Sequence, residues 1–344
     1  MKRSSLAEIV RAKAARMRMP KLDWIQVEVT SCCNASCTYC PRTVYKESWQ
    51  NRSLPLDMFL SLKPDMAKTG MIHLQGWGEP FLHPDLFTMI QTAKKEGCLV
   101  GTTTNGTLID DDCIDNIFSS GLDLISFSLA GFGSTNAAIR RGTDSSHITR
   151  VIRTIHLKRL ALRTPRPRIH ISYMLLPSTL WEIESLPHRL AGIGVDEVVI
   201  STLDFVAHPD LQREAIRPFS EDDYAGLSAQ LDRSVKECRR AGLAVHYRLP
   251  SHSAQHASCT ENIYSSAFVG AEGAIHPCVF AGIPADGQQY MDTEIQPYSR
   301  IHFGTLAETP FPCIWLGDSA NEFRVAFAAN RGSALCKNCV KRAE

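Results

Sequence analysis

Along most of the chain, short β-branched runs alternate with longer stretches whose apolar residues recur at helical period. That alternation predicts repeated βα units around a parallel sheet. Strands are expected at 25–30, 71–75, 99–103, 124–129, 169–175 and 197–202, and helices at 56–68, 84–96, 110–120, 147–160, 180–192 and 220–241. Pro84 and Asp110 are of the types that open helices, and Leu86, Ile90 and Ala93 share one helical face. Six strands are too few for a closed eight-stranded barrel, so the expected fold is α/β, an open or partial TIM-like (βα)6 barrel with its chemistry at the C-terminal strand ends. Beyond 241 the alternation stops, and 244–344 reads as loop-rich, with a hairpin at 267–269 and 274–277 around a turn at 270–273 and a helix at 319–329. The expected organisation is a basic N-terminal helix at 1–20, the barrel at 21–241 and a smaller annex at 242–344.

Composition changes this picture little: 344 residues, 44% hydrophobic and 21% charged, are ordinary for a globular enzyme. No stretch approaches the ~18 consecutive apolar residues of a transmembrane segment. With 37 Lys and Arg against 36 Asp and Glu, the net charge of +1 gives no field to hold a polyanion, so nucleic acid is not an expected partner. Basic residues gather in the first helix (Lys2, Arg3, Arg11, Lys13, Arg16, Arg18), which reads as a solvated surface helix in preference to a contact for an acidic partner or lipid. The run at 6–10 is interrupted by Glu8 and stopped by Arg11, so no secretory signal is seen and a cytoplasmic location is expected. In that setting, 12 cysteines point to metal or redox chemistry ahead of disulfides.

Their spacing is informative. After the first predicted strand come Cys33, Cys37 and Cys40, separated by three and then two residues in one loop. Three thiolates there can hold three irons of a 4Fe-4S cluster and leave the fourth iron open to a small molecule, whereas electron-transfer clusters usually take four protein ligands. A zinc knuckle completed by a distant His or Cys is the alternative.

With this loop the chain resembles the radical S-adenosylmethionine (SAM) superfamily, over about residues 21–205. The resemblance implies that the open iron is chelated by SAM, and that one electron from the cluster cleaves SAM to a 5′-deoxyadenosyl radical that abstracts a substrate hydrogen. It places Tyr39 near the adenine. Gly76-Trp77-Gly78-Glu79-Pro80 is similar to the family's Gly-Gly-Glu-Pro segment, whose backbone bonds the methionyl amine, with Trp77 departing from the commonest form. Thr104-Asn105-Gly106 resembles the segment after the third strand. Ser128, preferred to Ser126 for its place nearer the strand end, would bond ribose or carboxylate, and either Arg140 or Arg141 would meet the SAM carboxylate through its bidentate fork. Cys32 is out of register for ligation.

In the annex, Cys259, Gly273, Cys278 and then Cys336 and Cys339 resemble the auxiliary-cluster domains of the SPASM and twitch groups, as do Gly304-Thr305-Leu306, Ile314-Trp315 and Phe323-Arg324. The full SPASM pattern has more cysteines than this chain offers, so the resemblance implies the shorter twitch form with one auxiliary 4Fe-4S cluster. A four-thiolate zinc site is the alternative, and Cys313 could replace one ligand. Cys98, Cys113 and Cys238 lack ligand spacing and read as buried small hydrophobes. The implied activity is oxidative modification of a substrate, a peptide or protein side chain being favoured over a small-molecule alcohol or aminocyclitol, with flavodoxin or ferredoxin as electron donor. With only about twenty residues before the first strand, a fused peptide-leader-binding domain of the kind some relatives carry is not expected, which weighs against the peptide reading. Asp204 and His276 are the candidate bases for the departing proton. A noncatalytic iron-sulfur or zinc scaffold for a partner protein is the competing class, disfavoured by the joint presence of the three motifs.

Overall fold

The structure is a computed structural model that describes residues 6–217, 220–250, 258–291, 294–337 and 339–343. Its centre is a ten-stranded sheet. Six strands form the expected barrel wall: β1 (Leu22–Val27), β2 (Thr69–Leu74), β3 (Leu99–Thr104), β4 (Leu124–Leu129), β5 (Arg168–Leu175) and β6 (Glu197–Thr202). They pair parallel in that order. Their period-two pattern sorts the side chains. Ile25, Ile72, Val100, Ile125, Phe127, Ile171, Tyr173 and Ile200 are buried against helical Met89, Ile90, Ile114, Ile117, Ile148, Ile152 and Ile155. Each large apolar side chain so buried contributes about 1.5–3 kcal/mol. The alternate positions, among them Gln26, His73, Thr103, Ser128, Ser172 and Met174, are only partly buried. They form a polar inner face.

The sheet does not end at β6. Ala244–Tyr247 adds a seventh parallel strand, β7, beside β6, where the alternation was expected to stop. At the other edge, β8 (Ser266–Val269) lies parallel to β1, with Ile25 opposite Ala267, and turns back antiparallel into β9 (Ala274–His276), on which β10 (Gly304–Thr305) pairs. The annex hairpin therefore extends the barrel sheet. β1 begins and ends earlier than expected, and beyond its end Thr30 forms an isolated bridge to Ser53.

Helix ends follow their capping residues. Asp110 accepts the N–H of Cys113 at 2.8 Å ahead of the helix Asp111–Ser120, and Ser220 accepts that of Asp223 at 3.1 Å ahead of Glu221–Arg240. Two expected helices break at prolines, which lack the N–H that a helix interior needs. The region 56–68 divides into Leu56–Ser61 and Lys63–Met66, with Pro64 in the second piece. The region 180–192 becomes the 3₁₀ turn Pro177–Ser185 followed by Leu186–Leu190, with Pro187 in its first turn. The N-terminal helix Leu6–Arg18 packs on Phe311–Trp315 of the annex. Among the described residues, no helix is long and apolar enough to cross a membrane.

Candidate functional site

The loop after β1 carries the first three thiols and is held from two sides. Cys37 pairs with Arg140 in a short antiparallel bridge, Ser36–Cys37 against Arg140–Arg141, and the N–H of Thr38 donates to the carbonyl of Ile139 at 2.9 Å. From the third strand, the Asn105 amide donates to Asn34 Oδ1 at 2.8 Å and lies 3.9 Å from the sulfur of Cys33. The result is a cavity of about 210 Å³ at the C-terminal ends of β1–β5, whose wall includes Cys33, Cys37 and Cys40. Tyr39, Gly76, Gly78, Glu79, Thr104, Asn105, Ser128 and Arg140 line it as well. Ser126 and Arg141 do not; Arg141 is exposed, because the bridge to Ser36 turns it outward while Arg140 is buried and donates to the Tyr39 hydroxyl.

The two glycines of the second-strand loop answer to close approaches. A Cβ on Gly76 would lie 2.3 Å from the Glu28 side chain, and one on Gly78 would lie 2.2 Å from the Thr30 carbonyl oxygen. Glu79 is buried and faces the third-strand loop: one oxygen accepts the Thr104 hydroxyl at 2.7 Å, and the other accepts the Asn105 N–H at 2.7 Å. Pro80 opens the turn Pro80–Leu82 behind it. Glu79 and Thr104 thus brace the cavity wall against each other.

Burial pushes the Cys40 thiol up to about 12, with the nearby Cys37 adding to the shift, and burial likewise raises Cys33. Thiolates crowded in a dry pocket are stable only beside compensating positive charge, which bound iron supplies. Among the described residues no three Cys, His, Asp or Glu side chains are placed to hold a single metal ion, so what suits a cluster here is the chemistry of three thiols facing one cavity.

The four expected annex thiols lie near enough to influence one another's ionisation, without lining, among the described residues, a common cavity of the kind that holds Cys33, Cys37 and Cys40. Burial raises Cys259 to about 11 and Cys339 to about 12, and Cys336 adds to both shifts. Cys278, partly buried by surface area, is raised by burial and then by Glu261, Cys339 and Cys336. Cys278 precedes the turn Val279–Gly282, and Cys336 and Cys339 are joined by an N–H to carbonyl bond of 3.3 Å. Cys313 sits in the helix Phe311–Trp315. Cys98 and Cys238 are buried, Cys113 is half-buried, and Cys32 accepts the N–H of Glu79 through its carbonyl at 2.8 Å.

Neither candidate base lines the thiol cavity. His276 is fully enclosed and its Nδ1 lies 2.7 Å from the carbonyl oxygen of Ile301, which fixes the ring within the hairpin. Asp204 lies 2.9 Å from Lys341 beside a separate cleft at the ends of β6 and β7. In their place the cavity presents Thr103, from the third-strand segment whose polar side chains are expected at the barrel mouth, together with Gln75, Ser172 and Met174, which carry no sequence motif. All four sit at inner-face positions of strand ends, so period-two counting along β2, β3 and β5 was the available signal. Below them, His73 Nε2 lies 2.8 Å from Gln75 Oε1 and 3.1 Å from Thr103 Oγ1, and burial drives its pKa down to about 4.

A partial barrel with a thiol loop after its first strand and a thiol-bearing annex defines the class. Residues 27–190 match the Radical SAM superfamily, and 259–340 match the SPASM iron-sulfur cluster-binding domain. The chain belongs to the radical SAM superfamily and carries a C-terminal SPASM domain. As such it uses a 4Fe-4S cluster that binds SAM, together with auxiliary iron-sulfur binding. It is 28% identical over 188 residues to the tungsten-containing aldehyde ferredoxin oxidoreductase cofactor-modifying protein of Pyrococcus furiosus, covering 53% of this chain and 52% of that one, about half its length. It is 24% identical over 267 residues to the PqqA peptide cyclase of Gluconobacter oxydans, covering 75% of this chain and 70% of that one. Among solved structures, Streptococcus suis SuiB bound to precursor peptide SuiA superposes with a TM-score of 0.65 at 14% identity, over 98% of this chain and 75% of that one.

Proposed function

We propose that the enzyme oxidatively modifies a side chain of a peptide or protein, with the barrel cavity as the radical site and the annex thiols as the auxiliary-cluster site. In this reading Cys33, Cys37 and Cys40 hold the SAM cluster, Cys259, Cys278, Cys336 and Cys339 hold the auxiliary cluster, and the chain divides into a leading helix, barrel and annex near residues 20 and 241. The bound cluster and SAM supply an electron and a 5′-deoxyadenosyl radical that takes hydrogen from an unactivated carbon. The protein's part is positioning. Arg140 offers a buried guanidinium to the SAM carboxylate, the Gly76–Gly78 backbone approaches its amine, Tyr39 meets the adenine and Ser128 the ribose. Asn105 and Thr104, braced by Glu79, fix the third-strand side of the cavity, from which Asn105 also holds the thiol loop through Asn34.

The observation that carries the reading is the convergence, in one cavity, of three thiols with the Gly76–Glu79 loop and Arg140. A peptide substrate is supported by two of the similar proteins, one a peptide cyclase and one crystallised with a precursor peptide. Flavodoxin or ferredoxin is the proposed electron donor. The test is anaerobic incubation of the iron-loaded protein with SAM, a strong reductant and short peptides encoded beside its gene, with deuterium at candidate carbons. Deuterium in 5′-deoxyadenosine together with a peptide three mass units lighter than its deuterated precursor per oxidation, one deuterium and one hydrogen lost, supports the reading. Turnover of a small alcohol with inert peptides would replace it by a small-molecule dehydrogenase.

A further inference from the structure

The Gly76–Glu79 loop touches both thiol sites. On one side the N–H of Glu79 donates to the carbonyl of Cys32, next to Cys33, at 2.8 Å. On the other side the indole Nε1–H of Trp77 donates to the carbonyl of Val279, next to Cys278, at 3.1 Å. The Trp77 ring also meets Phe280 edge-on, with centroids 6.0 Å apart at 70°. Three consecutive residues of one loop therefore link the backbone beside a SAM-cluster thiol to the backbone beside an annex thiol.

A second tie runs parallel to it. Glu28, fully buried beyond β1, accepts the N–H of Trp77 on one oxygen at 2.7 Å and the N–H of Ala271, in the β8–β9 turn, on the other at 3.3 Å. Its side chain fills the space that a Cβ at Gly76 would need. The loop has little freedom to shift without moving the annex, and a close-packed contact of this kind transmits displacement.

We propose that Trp77 is a positioning residue that couples the two sites, so that an intact annex cluster tightens SAM binding and bound SAM tightens the annex around its cluster. Coupling between sites is reciprocal, which makes either direction a valid measurement. The inference rests on the cluster assignments proposed above.

The test is a double-mutant cycle on SAM affinity, measured by equilibrium dialysis with the oxidised, iron-loaded full-length protein, in which no electron is available for cleavage. Cys336→Ala plus Cys339→Ala should weaken SAM binding about tenfold in the otherwise native chain. In a Trp77→Gly background the same two substitutions should change it by less than about twofold, the non-additivity expected of residues in one linkage. Trp77→Phe keeps the ring and loses the N–H, so it should fall between the two and guards against a Gly variant that folds poorly. SAM affinity indifferent to the annex, or losses that simply multiply across the cycle, would overturn the inference while leaving the function intact. An iron-replete native protein that binds no SAM would instead sink the cluster assignment and the coupling with it.

Discussion

Lys341 Nζ lies 2.9 Å from Asp204 Oδ2, an ion pair that joins the C-terminal segment to the loop after β6. Glu261 Oε1 approaches the same ammonium at 3.7 Å. Burial opposes the charge on Lys341, but Asp204 and Glu261 outweigh it and hold the group charged above its usual range. A carboxylate committed in this way is a structural anchor.

Lys341→Met would leave two largely buried carboxylates facing each other without their cation. Removing one partner of a buried ion pair costs about 3–5 kcal/mol, and denaturant unfolding of the iron-loaded protein should register a loss of that order. Asp204→Asn should be milder and should leave reductive formation of 5′-deoxyadenosine intact, because Asp204 is outside the thiol cavity. Loss of that product from a variant that still holds its iron would return Asp204 to the active site.

Anaerobically prepared protein should hold about eight irons and eight sulfides, the sum of two four-iron clusters. Replacing Cys33, Cys37 and Cys40 together by Ala should leave about four of each, as should replacing the four annex ligands. Four irons with one zinc in the unaltered protein would make the annex a structural zinc site.

The wall of the barrel was legible because β-branched alternation and helix-opening residues act locally. The expected and observed strands coincide at Leu124–Leu129 and Glu197–Thr202. What escaped was decided by tertiary context. Ala244–Tyr247 is a short edge strand whose apolar content is too small to announce itself, and it forms because β6 offers an open edge. The docking of Ser266–Val269 on β1 pairs residues more than two hundred positions apart, which no local pattern encodes. The first thiol set is expected from its spacing and the annex set from its resemblance to auxiliary-cluster domains, whereas the place of Arg140 rather than Arg141 in the cavity wall depends on the bridge between Cys37 and Arg140. Glu28 carried no signal because a lone acidic residue near a strand end has no periodicity.

Glu28 also sets a pH dependence. Burial raises its pKa from 4.5 to about 8, against the pull of the Trp77 and Ala271 N–H groups. The unfolded chain loses this proton near 4.5 and the folded chain keeps it until about 8. The stabilisation is therefore fully present below pH 4.5, declines as pH rises and is gone above the folded value, a span worth up to about 5 kcal/mol. Melting temperatures of the native protein should fall across this window more steeply than those of Glu28→Gln, which cannot ionise. Parallel profiles would show that the carboxyl is already charged in the folded protein.

Metal removal should leave the annex thiols protonated. With burial holding Cys259 at about 11 instead of 9.0, its alkylation by iodoacetamide in the iron-free protein should keep climbing past pH 9. A profile that levels near 9 would mean that the annex opens once its metal is gone, the behaviour of a segment whose folding is tied to ligation.

The tightest steric constraint in the Gly76–Glu79 loop is at Gly78, and it yields a prediction with an internal control. An added Cβ would stand 2.2 Å from the Thr30 carbonyl oxygen and 2.5 Å from that of Cys32. Both are backbone atoms, and the second belongs to the segment that enters the thiol loop, so neither can rotate aside as a side chain would. Gly78→Ala must push the loop away from the cavity, and SAM affinity should fall by about tenfold or more, the scale on which small misplacements in a binding site are felt. Gly226 in the helix Glu221–Arg240 has nothing within 4 Å of its added Cβ. There Ala should be neutral or stabilising by up to about 1 kcal/mol, because helix propensity favours it. Equilibrium dialysis with SAM, alongside iron determination, separates the outcomes. Unchanged SAM affinity in a Gly78→Ala protein of full iron content would remove the Gly76–Glu79 backbone from the cofactor site.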